Sequence, residues 1–150
     1  MAVADFSMRH GLRVRWAEVD RQGIVFNANY LTYFDVGITE YWRALGYPYP
    51  DALLAHDCDT FAVKASVEYR APARYDDVVD VLVRVARIGR TSMQFLLEMY
   101  RTEADANATH LVSGEVIYVI ADAQTRRPTP VPDFLRDAIV RFERVAPDAG

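Results

Sequence analysis

The chain has 150 residues, a formal net charge of −4, 51% hydrophobic and 25% charged residues, seven Gly, seven Pro and a single Cys. That length suits a single domain, residues 1–150, with a core of its own, and the composition excludes a disordered chain. Seventeen basic residues face 21 acidic ones, with neither half basic, which excludes a general phosphate-binding surface for nucleic acid; the lone Cys58 excludes an intramolecular disulfide and a Cys-based zinc site.

The opening stretch MAVADFSMRHGLRVRW lacks the apolar core of a signal peptide, and no run approaches a membrane span, which predicts a cytoplasmic protein. Residues 11–19 alternate and predict a strand with Leu12, Val14 and Trp16 on one face. A turn follows at Asp20-Arg21-Gln22-Gly23. Tyr30, Phe34, Ile38, Tyr41 and Leu45 then recur at steps of three and four, the pattern of a long helix with one buried face. Asn27 or Asn29 suits its N-cap, and Gly46 with Pro48 stops it.

Residues 51–57 read as a short helical or irregular connector, after which the period changes to two. Phe61, Val63, Ala65, Val67 and Tyr69 form one face of a strand. Val79, Val81, Val83 and Val85 form one face of the next, after Ala71-Pro72-Ala73-Arg74. A turn at Ile88-Gly89-Arg90 leads to Met93, Phe95, Leu97 and Met99. Glu103 to Ala108 reads as a polar hairpin loop, and Leu111 to Ala121 as a last strand. The run from Thr125 to Pro132 is extended, Phe134, Leu135, Ile139 and Phe142 predict a short C-terminal helix, and Ala146 to Gly150 a frayed tail. The order predicts an α+β fold with one long helix on an antiparallel sheet, whose second face is partly polar and either solvated or covered by another subunit.

The informative stretch runs from Val14 to Arg43. An acidic pair, Glu18 and Asp20, enters a Gly-containing loop that runs directly into a helix N-terminus. The first N–H groups of a helix lack partners within it and carry partial positive charge. A carboxylate and free N–H donors are the parts acyl transfer requires, one to supply or activate a nucleophile and the other to hold an oxyanion. On local pattern alone, Asp20 is equally a turn former before Gly23. His10, His56 and His110 are scattered and fit no metal or triad spacing.

Trp16, Glu18-Val19-Asp20, Gly23-Ile24-Val25 and Asn27-Ala28-Asn29-Tyr30-Leu31 together resemble the start of the hotdog-fold thioesterases of the 4-hydroxybenzoyl-CoA thioesterase family. Val67-Glu68-Tyr69 before Ala71-Pro72-Ala73, then Asp76-Asp77 and Thr125-Arg126-Arg127-Pro128, continue the likeness over roughly residues 10–140. The resemblance implies a hotdog fold, in which a sheet of about five strands wraps one long helix. It also implies a homodimer or homotetramer with sites between subunits, and hydrolysis of acyl-CoA without a cofactor. Asp20 falls at the catalytic Asp, as nucleophile or general base, and Asn27 at the position whose backbone N–H meets the thioester carbonyl. Gly23, Tyr30, Thr60, Lys64, Arg87 and Arg90 are the expected substrate contacts, the two arginines for CoA phosphates with Arg70 and Arg74 in reserve. Asp35 and Glu40 are alternative acids on the helix. An acyl-carrier-protein thioesterase and a non-catalytic acyl-CoA-binding protein are the other readings. A hydratase of the same fold is disfavoured because no His lies between His10 and His56.

Overall fold

A computed structural model describes residues 2–102 and 108–150. Its elements in chain order are β1 (Met8–Arg13), α1 (Asn29–Leu45), α2 (Asp51–Leu54), β2 (Cys58–Tyr69), β3 (Val78–Ile88), β4 (Ser92–Thr102), β5 (Ala108–Asp122), α3 (Asp133–Phe142) and β6 (Asp148–Ala149). The sheet runs β1-β3-β4-β5-β2, antiparallel throughout, with β6 added in parallel to β3. This is the α+β hotdog arrangement: one long helix against a single antiparallel sheet.

The long helix lies where its periodicity placed it. Tyr30, Tyr33, Phe34, Ile38, Tyr41 and Trp42 are buried on one face, against the inward residues Val79, Val81, Val83 and Val85 of β3 and Met93, Phe95, Leu97 and Met99 of β4. Two glycines set how close helix and sheet come. A Cβ on Gly37 would lie 2.6 Å from the Val81 side chain, and one on Gly114 would lie 2.4 Å from both the Phe34 ring and the Ser66 carbonyl. Phe34 therefore sits in a notch that only glycine leaves open. The helix ends at Gly46, whose φ of +93° is costly for any residue with a Cβ.

Four expectations are corrected. The first strand spans Met8–Arg13 rather than 11–19, and a short 3-10 turn occupies Trp16–Glu18. Trp16 accordingly faces solvent, not the core. Neither asparagine caps α1 through its side chain: the N-cap is Ala28, and the Asn29 amide instead donates to the Glu18 carbonyl at 2.9 Å. The tail does not fray, because Asp148–Ala149 pairs with Arg87 and Ile88. Apart from Ala108, which opens β5, the loop expected at Glu103–Ala108 lies outside the described residues.

The two flanks of the sheet differ. The outer edge of β3 is used by β1, then by Glu143, then by β6. One Glu143 oxygen accepts from the Val85 N–H at 2.9 Å and the Tyr41 hydroxyl at 2.5 Å, the other from Ser7 Oγ at 2.7 Å. The outer edge of β2 has no strand beside it among the described residues, and Ala62 to Ser66 are exposed. An unpaired edge of twelve residues is a template for another strand.

Gly114→Ala should cost about 1–3 kcal/mol, because the added methyl displaces Phe34 or the β2 backbone. Gly11→Ala, where a Cβ finds only Asp80 Oδ1 at 3.4 Å, should change stability by about 0.5 kcal/mol or less. Urea-unfolding midpoints of the two variants check the difference.

Candidate active site

The loop between β1 and α1 is folded on itself as a small ribbon. Val19 bridges Val25, and Ile24 bridges Arg74. The Asp20 N–H donates to the Ile24 carbonyl at 2.8 Å, and the Val25 N–H to the Ala73 carbonyl at 2.9 Å. Gly23 makes the reversal with φ +78°, a conformation that favours glycine. Asp20 acts here as the turn former its local pattern suggests, since its Oδ1 accepts from the Gln22 N–H at 2.7 Å. That bond also orients the carboxylate, and among the described residues no donor faces Oδ2.

Glu18 has a different task. Its Oε1 accepts from the Arg15 N–H at 2.8 Å and the Tyr33 hydroxyl at 2.9 Å, and its Oε2 from the Arg15 guanidinium at 2.5 and 3.0 Å. Burial alone would raise its pKa, but the hydrogen bonds from Arg15 and Tyr33 outweigh it and hold the carboxyl below the ordinary glutamate value. Burial, reinforced by Glu18, pushes the Tyr33 phenol up. The Glu18 carbonyl meanwhile accepts from the Phe26 N–H at 3.0 Å and from the Asn29 side chain. The first acid of the pair is thus committed to structure, and the second is the one with an oxygen to spare.

At the start of α1 the Phe26 carbonyl accepts from the Asn29 N–H at 2.8 Å. In a trans peptide the C=O and N–H point in opposite directions, so the Asn27 N–H is directed away from the helix. It has no acceptor among the described residues. The Asn27 carbonyl is held by the Tyr69 hydroxyl at 2.8 Å. Asp20, Asn27 and Tyr30 line one cavity of about 370 Å³, walled by Ile24, Val25, Tyr69 and Pro72. Tyr30 is fixed there by accepting the Ala73 N–H at 3.1 Å and by edge-to-face contact with Tyr69. Tyr69 to Pro72, at and just beyond the C-terminal end of β2, form part of the cavity wall.

Of the expected contacts, the chain brings Asp20, Asn27 and Tyr30 together and places Gly23 in the adjoining turn. The others lie elsewhere. Thr60 borders a separate pocket of about 150 Å³ with Asp35, Thr39 and Tyr118. Lys64 is paired with Glu115 at 2.7 Å in the middle of β2. Arg87 and Arg90 lie at the opposite end of β3 from Arg74 and Ile24, with a strand of about 33 Å contour between the two ends at the ~3.3 Å rise per residue. Of the reserve cations, Arg70 does line the Asp20 cavity, 3.7 Å from Glu68, and Arg74 is paired opposite Ile24 of the cavity wall. Glu40 is tied to Arg43. Tyr69, a site residue that its strand pattern does not single out, is 55% exposed and meets the cavity through the Asn27 carbonyl and the Tyr30 ring. Among the described residues no three His, Cys, Asp or Glu side chains are grouped to hold a metal, and no helix is long and apolar enough to cross a membrane.

Residues 14–139 match the thioesterase-like superfamily. A putative esterase of Aquifex aeolicus is 30% identical over 130 residues, covering 83% of this chain and 94% of its own. The acyl-CoA thioester hydrolase YbgC of Escherichia coli is 29% identical over 124 residues, 83% of this chain and 89% of its own. Among solved structures, a mutant of 4-hydroxybenzoyl CoA thioesterase complexed with 4-hydroxybenzoyl CoA superposes with TM-score 0.81 at 20% identity, covering 88% of this chain and 97% of that one. The chain therefore belongs to the thioesterase-like superfamily, and its class is that of a hotdog-fold thioester hydrolase.

Glu18→Gln should destabilise the fold by roughly 1–2 kcal/mol at neutral pH, the scale of hydrogen bonds to a charged group. Because the folded-state pKa of Glu18 is depressed, its contribution is full above the unfolded value of about 4.3 and is lost as pH falls through the folded value. Urea titrations at neutral pH and in acid should show the gap between wild type and variant closing in acid.

Proposed function

We propose that the chain hydrolyses an acyl-CoA thioester to a carboxylic acid and CoA at the Asp20 cavity. One observation carries this reading. Asp20, whose Oδ2 has no donor, and Asn27, whose N–H has no acceptor among the described residues, line the same largely apolar cavity. The acyl-CoA thioester hydrolase activity in the name of the E. coli relative supports the same chemistry.

A thioester carbonyl is electrophilic, and its leaving thiol is about as acidic as cysteine, with a pKa of about 8.5. Expelling it needs little help from a general acid. The remaining tasks are supplying a nucleophile and stabilising the oxyanion. Asp20 performs the first by one of two routes. Its Oδ2 attacks the carbonyl carbon, the C–S bond breaks to release CoA thiolate, and water then opens the mixed anhydride. Alternatively, Asp20 takes a proton from water as that water attacks, and the proton later reaches the departing sulfur. In both routes the Asn27 N–H, at the positive end of α1, donates to the developing oxyanion. Tyr30 and the apolar wall receive the acyl group, and Gly23 permits the turn that aims Asp20.

A second copy of the chain completes the site. Part of the cavity wall lies at the end of β2, whose outer edge, unpaired among the described residues, has the length and exposure of a pairing surface. Contacts from Thr60, Lys64, Arg87 or Arg90 to a substrate in this cavity would have to come from that second copy.

Asp20→Asn should lower kcat by about a hundredfold or more in a free-thiol release assay over short, medium, long and aryl CoA esters, with fold and assembly unchanged. Near-wild-type turnover would contradict the role of Asp20. Val63→Asp places a charge at a β2 position that is 60% exposed in the isolated chain. It should leave the fold intact but shift sedimentation toward the monomer, with activity falling in parallel.

A further inference from the structure

The donor proposed for the oxyanion is a backbone N–H, so its direction is set by whatever holds the peptides on either side of it. Two of the bonds that do so are local. The Phe26 N–H donates to the Glu18 carbonyl at 3.0 Å, and the Phe26 carbonyl accepts from the Asn29 N–H at 2.8 Å. The third comes from another part of the fold. The hydroxyl of Tyr69, the last residue of β2, donates to the Asn27 carbonyl at 2.8 Å across 42 positions of chain. That carbonyl lies just outside α1, and no backbone donor among the described residues reaches it.

An exposed phenol needs no protein partner, because water serves its hydroxyl. Tyr69 is exposed and still spends its hydroxyl on the helix entry. Its backbone is paired with Val112 of β5, and its ring meets the Tyr30 ring edge to face with centroids 5.5 Å apart. Tyr30, in the first turn of α1, accepts the Ala73 N–H at 3.1 Å, just beyond β2. The two tyrosines thus tie the start of the helix to the exit of β2 in both directions. Phenylalanine at position 69 would keep the ring and lose only the bond to Asn27.

We propose that Tyr69 is a positioning residue for thioester cleavage, its hydroxyl holding the Asn27 carbonyl so that the Asn27 N–H is aimed at the developing oxyanion. The assignment deepens the acyl-CoA reading and rests on it. Without this bond the Asn27 carbonyl turns to water, and the peptide ahead of it is left to the two local bonds. Hydrogen bonds weaken steeply with misalignment, and a small displacement of a donor costs much of its effect on the transition state. The ground-state carbonyl carries less charge and loses less, so the deficit falls on kcat and not on KM. Tyr69 also ends the edge at which the second copy would pair, so the same bond links that pairing to the oxyanion donor.

Tyr69→Phe tests this. The variant should lower kcat for an acyl-CoA about tenfold, leave KM within about twofold, and sediment as the wild type does. In an Asp20→Asn background, where the bound thioester survives long enough to observe, the infrared carbonyl band of an isotope-labelled acyl-CoA should move to higher frequency when Tyr69→Phe is added, as a weaker hydrogen bond requires. Without any ligand, the backbone order parameter of the Asn27 amide should fall from the rigid range of about 0.85. An unchanged kcat would overturn the assignment. So would a rise in KM alone, which would make the hydroxyl a substrate contact, or a carbonyl band that stays put while kcat falls, which would make the bond merely structural. A wild type that cleaves no CoA ester, with the Asn27 order parameter still falling in Tyr69→Phe, would remove the hydrolase reading and keep Tyr69 as the anchor of that peptide. An unmoved order parameter in such a protein would remove both.

Discussion

The site depends on Glu18. Its carboxylate binds the Arg15 backbone and guanidinium on one side and the Tyr33 hydroxyl of α1 on the other, while its carbonyl collects the Phe26 N–H and the Asn29 side chain. One residue thereby joins the end of β1, the reversing loop and the first turn of the helix. Charge-assisted bonds of this kind are shorter and stronger than neutral ones. With Glu18 fixed, Asp20 two residues later and Asn27 at the helix entry have little freedom, and both face the same cavity. In the function we propose, the acidic pair divides the labour, with one carboxylate spent on position and the other left for chemistry.

The rest of the fold serves this junction by setting where the helix lies. Gly37 and Gly114 let α1 approach the sheet closely, and Phe34 occupies the notch above Gly114. The flank carrying β1 and β6 is closed, with Glu143 satisfying the Val85 N–H between them. The outer edge of β2 has no strand beside it among the described residues, and Tyr69 to Pro72 of the cavity wall lie at its C-terminal end. That edge is where the second copy we propose would pair.

Much of this was legible in the sequence because the signals were periodic. The helix from Asn29 to Leu45 and the alternating strands around Val81, Phe95 and Val116 follow from burial on one face, which the spacing of apolar residues reports directly. Trp16 shows the limit: it continues the alternation of Leu12 and Val14, but the 3-10 turn that begins there rotates it into solvent. Asn29 does not cap α1 because its side chain has a better acceptor in the carbonyl of Glu18, eleven positions away. The C-terminal pairing of Asp148 and Ala149 with β3 is backbone hydrogen bonding, to which side-chain pattern is blind. Within the site, Asp20, Asn27 and Tyr30 were accessible from one short contiguous motif. The turn holding Arg87 and Arg90 is legible from the strands on either side of it, but which end of the sheet the Asp20 loop adjoins is set by tertiary contacts that strand periodicity does not report.

The central claim is that the thioester carbonyl sits between Asp20 and the Asn27 N–H. The most direct measurement is a crystal structure of the protein with a non-hydrolysable acyl-CoA analogue that keeps the carbonyl and replaces the sulfur. The account predicts the carbonyl oxygen within hydrogen-bond distance of the Asn27 nitrogen, with Asp20 Oδ2 facing the carbonyl carbon directly or through one water. An analogue seated with its carbonyl in the pocket of Asp35 and Thr60, with the Asp20 cavity left to solvent, would contradict it.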